Sequence, residues 1–314
     1  MKVLIVKKKD SCFPFVEEQT NALRLLGVES IFHLISGRGV GAYIRDIPWL
    51  WRDIVRIQPD IIHAHYGMSG LYACLVAKVM RIFASKPVVV TYHGSDINVP
   101  DVRKLSQYAI QIADYNIFVS PQLMAQVKCG ENSQVIPCGI DWRDWTDVPK
   151  QEARKQMGLD QNQKTVLFCS DFDTPVKNPQ LAKDAIASLN DVELVELKGY
   201  SRAQVNLLMH AADVALMTSY SEGSPQFIKE AMACSCPIVT TRVGDAEFVI
   251  GDTMGCYFTD YSVADCAVQI TTALHFAERY DRTNGKQRIL QLGYCNDIVA
   301  KKINDIYVSL TQKR

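Results

Sequence analysis

The chain has 314 residues, 48 % of them hydrophobic and 22 % charged, with 34 lysines and arginines against 34 aspartates and glutamates. That length suits about two domains with sizeable cores, and the balanced charge argues against a generally basic, nucleic-acid-binding surface. The ten cysteines are scattered, with Cys234-Ser-Cys236 the one close pair, so no spaced second pair completes a zinc site and buried, reduced thiols are expected. Val3 to Val6 is too short for a signal-peptide core, and no apolar run approaches the roughly 20 residues a membrane helix needs. A soluble, cytoplasmic protein is the expectation.

In chain order, MKVLIVKKKD reads as a buried strand and a loop. Phe15 to Leu26 reads as a helix closed by Gly27, and 28–34 as a second strand. Ser36-Gly-Arg-Gly-Val-Gly41 is glycine-rich, but it does not directly follow the first strand and lacks the GxGxxG spacing of a dinucleotide fingerprint. That disfavours a hydride-transfer enzyme and leaves a flexible loop able to meet an acceptor. A helix is expected from about Pro48, with Ile47, Leu50, Trp51 and Ile54 on one side and Arg45, Arg52 and Arg56 on another. Such charges ordinarily mark a solvated face. Trp49 beside them adds a second reading, peripheral contact with an anionic inner-membrane face or a lipid-phosphate acceptor.

PDIIHAHYG, 59–67, reads as a strand whose His63 and His65 alternate to one side. Two ligands do not make a metal site, so packing or acceptor-side histidines are expected. Pro87 to Tyr92 is a β-branched strand running into His93-Gly-Ser-Asp96, and 114–119 is another strand. After Val135-Ile-Pro-Cys-Gly-Ile-Asp141, the stretch Trp142 to Pro149 is rich in Trp and Asp rather than Gly and Ser, which reads as a hinge.

The second half opens with a helix at Gln151 to Met157, a strand at Thr165 to Cys169 and the loop Ser170-Asp-Phe-Asp-Thr-Pro-Val-Lys-Asn-Pro179. Asp171-Phe-Asp173 has the form of a DxD motif, where magnesium could bridge carboxylates and a diphosphate. Strand 192–197 and helix 202–212 lead to DVALMTSYSEGSPQFIKEAMACSCPIVTTRVGDAEFVIGD, 213–252, which reads as strand, loop, helix, strand. Ser224 suits an N-cap and Pro225 the first helical position. The N–H groups of Gln226 and Phe227, with Gly223 before them, then form a phosphate seat at the carboxyl end of the strand. Glu222 and Glu230 frame it with acceptor oxygens suited to paired hydroxyls. After strand 255–258, helices over 263–280 and 286–310 close the chain.

EGSPQFIKEAMACSCPIVTT resembles the E-x7-E segment of retaining GT-B glycosyltransferases of family 4. His93-Gly-Ser-Asp96 resembles that family's HGxD turn, and Ile136 to Asp141 the IPxGID segment that closes its first domain. The resemblance implies two doubly wound, Rossmann-like α/β domains facing across a cleft. Residues 1–143 would form the acceptor side, with a C-terminal helix at about 297–314 packing back on it, and 144–296 the donor side. It gives Glu222 the hydroxyls of the donor sugar and Glu230 the ribose, with Gly223, Ser224, Gln226 and Phe227 around the phosphates. Lys177 is aimed at the pyrophosphate and His93 sits beside the donor sugar, with His65 on the acceptor side and Asp96 supporting the turn or the acceptor side. The reaction implied is front-face transfer with retention from a nucleotide-diphosphate sugar, UDP favoured, to a saccharide or lipid-linked acceptor. Surface polysaccharide assembly is the setting, without a metal or other cofactor.

Two departures from the family pattern stand out. Its Gly-Gly pair in the first loop is replaced by Ser11-Cys12-Phe13-Pro14-Phe15, and the arginine that usually accompanies the lysine is missing, its neighbourhood holding Ser170, Asp171 and Asp173. Leaving-group stabilisation would then rest on Lys177 and the helix end after Gly223. The alternatives are a GT-B nucleotide-sugar epimerase and a catalytically silent nucleotide-binding or scaffold protein.

Overall fold

Val3 to Val6 and Val88 to Tyr92 are buried without alternation, as strands covered on both faces of a parallel sheet must be. The computed structural model describes residues 1–9, 14–80 and 86–312. It divides into two compact units, Met1–Gly139 with Asn296–Arg314, and Ile140–Cys295.

The first unit holds a six-stranded sheet of β1 (Lys2–Lys8), β2 (Glu29–Ile35), β3 (Ile61–His65), β4 (Val88–Tyr92), β5 (Tyr115–Phe118) and β6 (Ser133–Val135). Its order is β2-β1-β3-β4-β5-β6 and every pairing is parallel. Leu4, Val6, Ile62 and Val90 fill the core on one face, while Val3, Ile5, Ile61 and Val89 fill the other. The helix Asn296–Gln312 supplies Val299, Ile303, Ile306 and Tyr307 to that second layer, so the chain's end completes the core of its beginning. Tyr307 and His63 hydrogen-bond at 2.5 Å across 244 residues of sequence.

The second unit holds β7 (Lys164–Phe168), β8 (Val192–Glu196), β9 (Val214–Met217), β10 (Ile238–Thr241) and β11 (Cys256–Thr259). The order is β11-β10-β9-β7-β8, again parallel throughout. In both units the order reverses beside the first strand of the unit, between β1 and β3 and between β7 and β9. The loops at the carboxyl ends of such neighbouring strands diverge to opposite faces and leave a crevice.

Several expectations need correction. The helix expected from Pro48 runs Val40–Ile57, with Pro48 inside it. Its missing N–H frees the carbonyl of Ile44, an exposed residue whose carbonyl water can satisfy. The loop before the helix therefore ends at Gly39, whose φ of +69° favours glycine. The stretch expected as a hinge belongs to the second unit, where Trp145 is buried in the core with Ile140 and Leu208. The single helix expected over 286–310 is two, Gly285–Gln291 and Asn296–Gln312, separated at Gly293, which has φ +67°. That break is where the chain returns to the first unit. Nine cysteines are described and all are free thiols. Cys12 and the departure at Ser11 to Phe13 lie outside the described residues.

Candidate functional site

Lys177 and Glu222 meet at the reversal point of the second sheet. Lys177 ends the 3-10 turn Pro175–Lys177 that follows β7, Glu222 lies in the loop after β9, and Nζ is 2.6 Å from Oε1. The two loops are bound to each other. The Thr218 hydroxyl donates to the carbonyls of Lys177 and Asn178, each at 2.9 Å, and Tyr220 N–H donates to Val176 O at 2.9 Å. Burial works against the charge on Lys177, but Glu222 outweighs it and holds the ammonium above its ordinary pKa. The same burial pushes the Cys169 thiol up to about 12, despite the neighbouring Lys177 charge. Lys177 is thus a fixed cation, and Cys169 a neutral wall.

The helix after the loop is Gln226–Ala233, capped by Pro225 without a side-chain bond. Ser224 is therefore not its cap: the hydroxyl donates to Asp245 Oδ2 at 2.7 Å, in the turn after β10. Behind it lies Lys229, fully buried in the same helix. Burial raises the Asp245 carboxyl, and the Lys229 charge and the Ser224 hydroxyl pull it back. Gly244, at φ +56°, lets the two loops touch, since a Cβ there would lie 2.8 Å from the Gly223 carbonyl oxygen. Gly223 and the first N–H groups of Gln226 and Phe227 are thereby held in place by a buried acid, a buried base and a close backbone crossing.

Glu230 is buried one turn further along the helix and pairs with Arg202, Nη1 to Oε1 at 2.8 Å. The guanidinium also lies 4.9 Å from the centroid of the Trp145 ring. Burial raises the Glu230 carboxyl, opposed by Arg202 and then by Lys229. Arg202 was not among the residues singled out from the sequence, although a signal existed: Ser201 and Gln204 form a capping box, which puts Arg202 at the first position of its helix, after β8. The acidic pair of the β7 loop is engaged locally. Asp171 Oδ1 accepts from Asp173 N and from the Thr174 hydroxyl, while Asp173 pairs with Lys198 at 2.6 Å.

In the first unit, His65 and His93 stand at the carboxyl ends of β3 and β4, with Nδ1 of His65 3.0 Å from Nε2 of His93. Phe15 and Tyr66 pack on the His93 ring at 5.0 and 4.7 Å between centroids, and Cys138 Sγ is 4.0 Å from its Nδ1. His65 is buried and held neutral by that burial, with its His63, His93 and Lys7 neighbours acting in the same direction. It sits behind His93 rather than open to an acceptor. Asp96 takes the first of its two expected places, supporting the turn. It is buried and accepts from the backbone N–H groups of Gly94 at 2.8 Å, Gly67 at 3.0 Å and His93 at 3.1 Å. Burial raises its carboxyl to about 6 against those donors. Its work is to shape the turn that presents His93.

Two parallel, doubly wound sheets, each with polar loops at its reversal point, define the class as α/β of the GT-B type. Residues 10–143 match the family described as Glycosyltransferase Family 4, and residues 161–275 match Glycosyl transferases group 1. A protein described as a teichuronic acid biosynthesis glycosyltransferase, TuaC of Bacillus subtilis (strain 168), is 30 % identical over 223 residues, 62 % of this chain and 56 % of that protein. The chain thus spans little more than half the length of that relative. Sucrose-phosphate synthase of Thermosynechococcus elongatus shares the fold with a TM-score of 0.86 at 16 % identity, covering 100 % of both chains. HepE of Anabaena, solved with UDP and glucose, does so with a TM-score of 0.76 at 16 % identity, covering 98 % of this chain and 100 % of that one. The first half of the chain thus matches a family 4 model and the second half a group 1 glycosyltransferase model.

Proposed function

We propose that the protein transfers a sugar, with retention at the anomeric carbon, from a nucleotide-diphosphate sugar to a saccharide or lipid-linked acceptor in surface polysaccharide assembly. The observation that carries this reading is the Lys177–Glu222 pair at the reversal point of the second sheet, 2.6 Å apart beside Gly223 and the first turn of the helix Gln226–Ala233. When a glycosyl–diphosphate bond breaks, negative charge grows on the leaving oxygen, and a preorganised cation together with the positive end of a helix stabilises it. Glu222, within reach of the same point, would take hydroxyls of the sugar, and Glu230 those of the ribose. His93 would stand beside the donor sugar.

Front-face attack suits this site, because Glu222 is bound to Lys177 rather than poised as a nucleophile. The donor is read as a UDP sugar, supported by HepE having been solved with UDP. The polysaccharide setting is supported by the name of the TuaC relative. A metal is not required by this reading.

The test is a thermal-shift panel of UDP, GDP, ADP and their sugar conjugates with and without magnesium, since a ligand that binds only the folded state raises the melting temperature. A shift with one nucleotide, followed by release of that diphosphate only when an acceptor is added, is the expected result. No shift with any of them would count against the reading, and release of free sugar without acceptor would point to an epimerase.

A further inference from the structure

The helix Val40–Ile57 carries an outward face that the transfer reaction does not use. Five of its apolar side chains are exposed: Val40 at 57 %, Ile44 at 62 %, Ile47 at 41 %, Trp49 at 54 % and Val55 at 50 %. Spaced at three, four and eight residues, Val40, Ile44, Ile47 and Val55 form one stripe. Arg45, Arg52 and Arg56 project along its edge, all exposed, and Arg52 lies over the Trp49 ring at 4.5 Å from its centroid.

The charges of this helix are sorted by sign. Its only two acids, Asp46 and Asp53, reach His33, at 2.6 Å from Nε2 and 2.8 Å from Nδ1; the Tyr72 hydroxyl donates to Asp46, and Asp53 also pairs with Arg52 at 3.2 Å. The outer face is left with Arg45, Arg56, the Asp53-paired Arg52 and apolar groups. The protein as a whole is neutral, so this local sorting does not follow from its composition.

We infer that the outward face of the helix Val40–Ile57 docks on an anionic phospholipid surface. Apolar side chains in a stripe enter the region between headgroups and acyl chains, arginines along the edge meet lipid phosphates, and a tryptophan stacked by arginine suits the headgroup level. A protein partner of mixed charge would match poorly a face whose net charge is positive. The docking is independent of which sugar is transferred.

The test is sedimentation of the full chain with vesicles of phosphatidylglycerol and phosphatidylcholine, and with phosphatidylcholine alone, at low and high salt. Cosedimentation only with the anionic vesicles, weakened by salt, is expected. The triple variant R45Q/R52Q/R56Q should lower the partition coefficient about a hundredfold, since each basic residue near an anionic surface contributes about fivefold. Ile44→Asp should lower it as well, with circular dichroism and melting temperature unchanged because both sets of side chains are exposed. No binding to the anionic vesicles, equal binding to both kinds, or binding indifferent to the triple variant would each overturn the proposal. So would a dimer in solution that Ile44→Asp disrupts while vesicle binding is absent.

Discussion

Arg202 and Glu230 form an ion pair at 2.8 Å, with the guanidinium laid over Trp145. Burial raises the carboxyl proposed to hold the ribose, and Arg202, which follows a different strand, opposes that rise. Hydrogen bonds to charged groups contribute about 1.5–3 kcal/mol, so Arg202→Gln should weaken UDP binding by roughly 10- to 100-fold. Losing the cation also lets burial lift the Glu230 carboxyl further, with only Lys229 opposing it. Nucleotide affinity, followed by titration calorimetry, should therefore fall on acidification at a higher pH in the variant than in the wild type. Parallel pH profiles would show that Arg202 is only a structural support.

The Lys177–Glu222 pair predicts a different pattern. Lys177→Ala should lower kcat by roughly 10²- to 10³-fold, the usual cost of one preorganised charge-stabilising group. Glu222→Ala should mainly reduce turnover, whereas Glu230→Ala should mainly weaken nucleotide binding. Because Lys177 and Glu222 touch, the double variant should lose less than the product of the single losses. Steady-state kinetics with saturating donor distinguishes these outcomes.

The buried cluster of Ser224, Lys229 and Asp245 predicts stability effects. Lys229→Met removes the buried charge that offsets burial of the Asp245 carboxyl and should destabilise the fold. Ser224→Ala removes one hydroxyl donor and should cost about 1–3 kcal/mol. The double substitution Lys229→Met with Asp245→Asn should be less destabilised than Lys229→Met alone, as measured by urea unfolding.

His63 ties acid stability to the closing helix. Burial lowers its pKa from 6.5 to about 3, so the unfolded chain binds a proton in that range that the folded one does not. The contribution is present above pH 6.5 and is lost as pH falls towards 3, with an upper size on the order of 4–5 kcal/mol at about 1.4 kcal/mol per pKa unit. Asp96 acts with the opposite sign below about pH 6, because its folded value is raised from 3.8. The difference between wild type and His63→Gln removes the Asp96 part. That difference, measured by chemical unfolding across the acidic range, should shrink on acidification and then reverse in favour of the variant.

The strands were legible because uninterrupted β-branched and aliphatic runs such as Val3 to Val6 and Val88 to Tyr92 can be satisfied only inside a parallel sheet. The order of residues in Glu222 to Glu230 announced a loop and helix bearing two carboxylates, and Lys177 was marked by its place before Asn178 and a helix. Local rules failed where a distant group competed for the same atoms. Ser224 looked like a cap, but Asp245, 21 residues away, takes its hydroxyl. Pro48 looked like a helix start, but the stripe beginning at Val40 already repeats at helical spacing and carries the helix through it.

Sequence by itself determined which segments become strands and helices, since period and side-chain branching are local properties. Tertiary structure alone decided the partners: Arg202 for Glu230, Asp245 for Ser224, Tyr307 for His63, and Asp46 and Asp53 for His33. Charge pairing acts over a few ångströms of space, and the number of residues between two partners has no part in its energy.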